Sequence, residues 1–450
     1  MSTTDPARDN QGPRYTRRKL VIAGSVGAAS MYFAGGAAAS SNNNVTVTFD
    51  MEYAGTTGSM QMFWKLLAAS AAKADRGFTL TPSFVPYANL DARLQSNHAA
   101  RQGSTLETYY ADFPLYPYIV QGAIIPVDPY LSGNDKPSDW LFILDQKING
   151  KYWGVPFYGE QALLAANIAQ LNKAGVDVGP DGFPSWTAFT QACAKLKKAG
   201  STPVMMGASD GYNAEKWMLA AEMSEIASLK TLGQFALDDL PVTAPGVSTW
   251  ADWFQELHKN KWNNPDAANI TEQQAITNFL QGTGAMMMLY PGAIFTAKNH
   301  ADYRIIGFPR GPGPLSAGAA VAADLLMMTS YGANKPAAAK FLTWLQEPAQ
   351  LALFNKTTGE FPCNSKFDGS ALAPLPKQSW DLLTKSKPTP TWAHNYIPRE
   401  QVAILYDIGP KSAGGAAPAA IRNEYVQKMD AWRSESTAEV QLLQKFVQGL

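Results

Sequence analysis

The sequence predicts an α/β chain built as two globular lobes. Two observations lead there. At 450 residues the chain is longer than one core usually serves, since single cores stop growing at roughly 250–300 residues. Strand and helix patterns also alternate after residue 44, as they do in a parallel sheet with crossover helices. Hydrophobic residues make up 46% and charged residues 16%, the balance of an ordinary globule rather than a disordered chain. The formal net charge is zero, so no basic field is present to attract nucleic acid or an anionic membrane. Twelve Trp and 18 Tyr supply rings beyond those of a core, available to a ligand groove.

The N-terminus reads as an export address. Thr16-Arg17-Arg18-Lys19 precedes a mild apolar run from Leu20 to Phe33, and Ala37-Ala38-Ala39 follows as an A-x-A cleavage site. The run is too short and too weak to span a bilayer. The paired arginines are similar to a twin-arginine (Tat) export signal, with Leu20 where Phe is usual. Cleavage near Ala39 would leave a mildly acidic mature chain in the periplasm. No cysteine follows the run to take a lipid anchor.

The mature chain then resolves element by element. Val45 to Phe49 is β-branched and alternating, hence a strand. Residues 52–58 form a small-residue loop. Met60 to Asp75 carries an apolar stripe of helical period. Phe78 to Val85 is a second strand and Leu90 to Arg101 a second helix. Tyr109-Tyr110 runs into Asp112 and Pro114, followed by a short helix. Loops 52–58 and 109–114 fall at the carboxyl ends of strands, where parallel sheets bind ligands. Gly150 to Glu160 is a turn and an aromatic extended segment, and an apolar stretch from Leu163 to Leu171 ends at Gly175. Ser185 caps a helix whose face is Trp186, Phe189, Ala192, Cys193 and Leu196, with lysines in its last turn. Trp217 to Ala227 and Thr249 to Lys259 are further helices. Ala285 to Tyr290 is a buried strand rather than a methionine metal site. Tyr303 to Phe308 and Ala320 to Thr329 are strands. Pro336 to Leu345 and Ala349 to Phe354 are helices, and the tail from Glu424 to Val447 is helical.

Cys193 and Cys363 are far apart and outside any CxxC pair, which argues against a disulfide framework or a zinc site. A bond between them would freeze lobe motion. Neither HExxH nor a P-loop occurs, and no metal or other cofactor is expected. Gly207-Ala208-Ser209-Asp210-Gly211 fits the G-x-S-x-G pattern and makes Ser209 the nucleophile of a rival reading, an exported hydrolase. No HGGG-like segment precedes it, and a plain turn explains the same five residues.

Seven segments together resemble family 1 of the extracellular solute-binding proteins, the maltose and multiple-sugar receptors. They are Pro126 to Leu131, Gly150 to Glu160, Asn172 to Asp177, Pro184 to Phe189, Phe279 to Met286, Phe308 to Gly313, and Ala337 to Pro362. They follow the family's order over most of the mature chain, whereas residues 366–450 match only loosely. The chain departs at Gly103 to Thr108, where the family has Gly-x-x-Pro-Asp-Val. It departs again after Met286, where Tyr290 stands in for a family Trp. The resemblance implies a two-lobe, periplasmic-binding-protein-like fold (type II-like) with a ligand cleft between lobes. The first lobe would hold 45–157 and 317–365, the second 158–316 and 366–450, with hinge crossings near Phe157 and Pro314.

It also implies a receptor, not an enzyme. Such a receptor captures a mono- or oligosaccharide by lobe closure and docks as a monomer on an inner-membrane ABC permease. Sugars present C–H faces to rings and hydroxyl edges to carboxylates. Glu160 is the leading polar candidate, at the crossing beside Tyr158, where the family often places a sugar-contacting acid. Asp112 and Tyr110 follow from their loop position. Tyr53, Trp217, Tyr290, Asp324, Glu360 and Trp392 complete the ligand-binding set. A polyamine receptor would use the same side chains and stays open as an alternative.

Overall fold

The computed structural model describes residues 44–449 apart from 52–56, 87–88, 134–135, 142–146, 180, 296, 317 and 386–392. The export segment 1–39, Tyr53, Trp392 and the side chain of Glu160 therefore lie outside the described residues.

The chain opens as β1 (Asn44–Met51), α1 (Thr57–Lys73), β2 (Thr79–Pro86), α2 (Leu90–Ala100), β3 (Leu106–Tyr110), α3 (Tyr116–Val120) and β4 (Ile124–Ile125). β1 pairs in parallel with β2 from Asn44↔Thr79 to Met51↔Pro86, and with β3 at Val47↔Leu106. The alternation of helix and strand thus gives the parallel arrangement it predicts. Apolar side chains of α1 fill the space beneath. Phe63, Trp64 and Leu67 are fully buried, each worth about 1.5–3 kcal/mol.

A short hairpin of β5 (Lys147–Ile148) and β6 (Lys151–Tyr152) leads into β7 (Val155–Asn167), a strand of 13 residues. Its length has a topological use. The first half pairs with neighbours described below, and the second half enters a different set of strands. The apolar run continuing to Leu171 is therefore strand only to Asn167. There the Asn167 side chain accepts the Gln170 N–H at 3.1 Å and starts α4 (Ile168–Lys173).

Helices α5 (Trp186–Lys198), α6 (Tyr212–Glu225), α7 (Thr231–Ala236), α8 (Thr249–Lys259) and α9 (Glu272–Leu280) follow. Ser185 Oγ accepts the Ala188 N–H at 3.1 Å, the N-cap read from the sequence. Ser185→Ala should cost about 1 kcal/mol, measured as a lower urea midpoint with an unchanged slope. Helix α6 starts five residues before its apolar pattern suggests. Gly211, at φ 83°, turns the chain so that Tyr212 can open the helix.

Then come β8 (Met286–Leu289), α10 (Gly292–Phe295), β9 (Tyr303–Ile306), β10 (Ala320–Thr329), α11 (Lys335–Leu345), α12 (Pro348–Thr358) and β11 (Phe361–Pro362). All four residues of β8 are buried, as expected for a strand inside the core. β10 runs antiparallel between β3 and β7, giving the order β11-β7-β10-β3-β1-β2. Beyond Ala162, β7 pairs instead with β8 (Leu163↔Leu289) and β9 (Leu164↔Ile306).

The chain ends with α13 (Pro374–Lys385), α14 (Arg399–Ala413), α15 (Pro418–Glu435) and α16 (Thr437–Gly449). The expected single tail helix is broken at Ser436, which leaves helical geometry at φ −121°. Phe446 of α16 lies 5.4 Å from both Phe113 and Tyr116 and 6.0 Å from Tyr396. The core of the C-terminal helices is thereby continuous with residues 90–123. A separate core joins β1, α1, the start of β7, α11 and α12. Cys193 and Cys363 are both buried free thiols. Among the described residues no helix is long and apolar enough to cross a membrane.

Candidate ligand-binding site

The register of four strands sets four residues in one row. Pro362 of β11 lies opposite Tyr158 of β7, Tyr158 opposite Asp324 of β10, and Asp324 opposite Tyr110 of β3. Asp112 follows Tyr110 by two residues and Glu360 precedes Pro362 by two. Glu160 pairs with Ala322, two residues from Asp324, where the register shifts. The row occupies the stretch of β7 just before that strand changes partners.

Asp324 is 1% exposed, and its charge together with burial holds the Cys363 thiol well above its ordinary value. Asp112 is 3% exposed and adopts φ 67°, ψ −132°, a conformation that costs a non-glycine residue about 1–3 kcal/mol. Its carbonyl accepts the Leu115 N–H at 3.1 Å, so the strained residue also opens the following turn. Burial pushes the Asp112 carboxyl up to about 8, against a hydrogen bond from Tyr396 that acts the other way. Its Oδ2 has no hydrogen-bond partner among the described residues. A buried acceptor left without a donor costs free energy until a ligand supplies one.

Glu360 follows the end of α12. Its N–H donates to Thr358 Oγ1 at 3.1 Å, and its carbonyl accepts from Asn355 at 2.9 Å. Its Oε1 lies so close to α10 that a Cβ placed on Gly292 would be 3.3 Å away. Burial lifts this carboxyl to about 7. Two residues before Gly292, the Tyr290 ring sits beneath Lys216 Nζ, 3.9 Å from its centroid. Lys216 is wholly buried and pairs with Glu272 at 2.8 Å. Arg399 lies 5.7 Å over both Tyr109 and Tyr110.

The remaining candidates fall differently. Trp217 is 1% exposed and packs 5.7 Å from Phe189, so its ring serves the core. Tyr158 is 4% exposed, with its ring 6.1 Å from that of Phe354. Tyr212 stands out although sequence reading passed over it. It is 46% exposed at the start of α6, set edge-on to Tyr406 at 5.4 Å. The signal is an aromatic directly after Asp210-Gly211, hidden because the apolar pattern begins only at Trp217. A cavity of about 350 Å³ between residues 176–184 and α5 shares no residue with the row.

The G-x-S-x-G glycines have structural work of their own. A Cβ on Gly207 would come 2.2 Å from the Thr271 carbonyl oxygen, and Gly211 supplies the left-handed turn. Ser209 is exposed, with its amide bonded to the Ile270 carbonyl at 3.0 Å.

An α/β body with buried carboxyls and tyrosines gathered where one long strand changes sheets is the form of a small-solute binding protein. The chain belongs to the bacterial extracellular solute-binding protein family, whose pattern matches residues 53–352. The solved structures it resembles share the two-lobe periplasmic binding fold. A chitin oligosaccharide binding protein superposes with TM-score 0.70 at 17% identity, covering 87% of this chain and 100% of that one. The bacterial solute receptor AcbH, described as preferring β-D-galactopyranose, gives 0.70 at 17% over 87% and 99%. A sugar transporter from Arthrobacter chlorophenolicus A6 with bound laminaribiose gives 0.62 at 17% over 86% and 99%. No curated protein matches the chain.

Proposed function

We propose that the protein is the substrate-binding receptor of an ABC importer and captures a mono- or oligosaccharide between two closing lobes. The carrying observation is the pairing of Asp324 with Tyr110, with Asp112 and Glu360 beside it. Rings meet the faces of a sugar, and carboxyls meet its hydroxyl edge. Family membership and the ligands named for similar structures support the same reading.

The lobes are 45–157 with 317–365, and 158–316 with 366–450. The crossing of β7 between two strand sets supports this division. Asp112 meets Tyr396 and Glu360 lies against Gly292 across this division, and a ligand favours the closed state by touching both sides. The protein leaves the cytoplasm on a twin-arginine-type signal cleaved near Ala39. It works as a monomer in the periplasm, delivers to an inner-membrane permease and catalyses no reaction.

A thermal-shift screen of mono- and oligosaccharides on protein lacking residues 1–39 tests this. A ligand at 100 times its Kd adds about 2.7 kcal/mol of apparent stability. Silence across the whole carbohydrate panel would end the receptor reading. Tyr212, whose carbonyl accepts from the Lys216 Nζ that caps the Tyr290 ring, is placed at the edge of the site, and Tyr212→Ala should weaken sugar binding about tenfold by isothermal titration. Its stability should change by less than about 0.5 kcal/mol, because the ring is so exposed. Unchanged affinity removes Tyr212 from the site.

A further inference from the structure

We infer that the solute is a carbohydrate carrying a protonated amine, held by the carboxyls of Asp112, Asp324 and Glu360. The inference rests on the receptor reading above and names its ligand class. Three carboxyl-bearing residues fall on or beside a single cross-strand row. Neighbouring strands are about 4.8 Å apart, and Asp112 and Glu360 flank the row three strand gaps from each other, so the cluster spans about 14 Å, the reach of two or three sugar rings. Arg399 and Lys216, the cations lying against its tyrosines, are themselves engaged. Arg399 rests on the Tyr109 and Tyr110 rings, and Lys216 is bonded to Glu272.

The second observation is Asp112 itself. Its side chain is buried, and Oδ2 has no hydrogen-bond partner among the described residues. A hydroxyl would supply that oxygen with one neutral hydrogen bond. An ammonium would supply a charge-assisted one, and would also lower the cost of ionising neighbouring carboxyls in a water-poor site. Burial holds Asp112 and Glu360 toward their neutral forms, about 8 and about 7. At neutral pH a closing cleft that admits no cation therefore leaves Asp112 mostly protonated and Glu360 divided between its two forms. The groups that face them are Tyr396 on Asp112, Cys363 on Asp324, and Gly292 on Glu360.

The test is a matched panel at pH 7.5, read by thermal shift and then isothermal titration. Each mono- to tetrasaccharide is supplied with hydroxyl, acetamide or free amine at the same carbon, and spermidine is run beside them. The expected result is that the amine member of a set binds at least tenfold tighter than its hydroxyl and acetamide counterparts. That preference should shrink in 0.5 M salt. It should also fall between pH 8 and pH 6, as Asp112 and Glu360 take up protons. Asp324→Asn, checked for unchanged melting, should reduce the amine preference at least threefold.

Equal or tighter binding of a neutral sugar overturns the amine assignment and leaves the receptor standing. Binding of spermidine with no carbohydrate response overturns both. So does a panel in which nothing binds.

Discussion

Asp112→Asn should weaken solute binding about 10- to 100-fold while making the empty protein more stable above pH 8. The two effects have separate causes. A charge-assisted hydrogen bond contributes about 1.5–3 kcal/mol, and each 1.4 kcal/mol is tenfold in affinity. The amide keeps the size of the carboxyl and tolerates the positive φ at this position. Stability moves the other way because burial raises the folded-state carboxyl to about 8. A group raised on folding contributes fully below its unfolded value, and that contribution fades as pH climbs through the folded one. The wild type therefore loses stability from about pH 4 to pH 8, and the asparagine variant has no such loss at this site. Titration calorimetry at pH 7.5 and melting curves from pH 5 to pH 9 measure both. Equal affinity, or parallel melting profiles for the two proteins, would refute the role given to this carboxyl.

Lys216→Met should cost about 3–5 kcal/mol of stability. Lys216 Nζ lies 2.8 and 3.0 Å from the two Glu272 oxygens and 3.3 Å from the Tyr212 carbonyl, and it caps the Tyr290 ring. Removing one partner of a buried pair strands the other charge. Glu272 would then face Asp210, whose carboxyl burial already raises and whose Oδ2 accepts the Glu272 amide. The double variant Lys216→Met/Glu272→Gln should recover part of the loss, since no lone carboxylate remains. Chemical denaturation of wild type and both variants decides it. A single-variant loss below about 1 kcal/mol would show that the pair does not support the packing of α6.

Much of the fold was legible in local pattern. β1, β2, α5 and α8 announce themselves through alternation, helical stripes and a serine cap, all of which act within a few residues. What stayed hidden was pairing across long separations. Nothing within Ala320–Thr329 says that it lies between β3 and β7, yet that placement sets Asp324 beside Tyr110 and Tyr158. Asp112 was legible as a polar residue after a strand, but its strain and its unmet oxygen were not. Trp217 shows the opposite failure. A tryptophan has the same letter in a groove and in a core, and only the neighbouring Phe189 decides. Tyr212 was missed because a glycine with positive φ moved the helix start ahead of its hydrophobic stripe.

The central position of β10 has a bearing on how the chain is made. β3 and β7 leave the ribosome early, but the strand that joins them ends only at Thr329. Phe446, which closes over Phe113 and Tyr116, emerges later than β10. A nascent chain thus carries open strand edges through most of its translation, and such edges invite chaperones. Until β10 is in place, β3 and β7 each keep an uncovered edge.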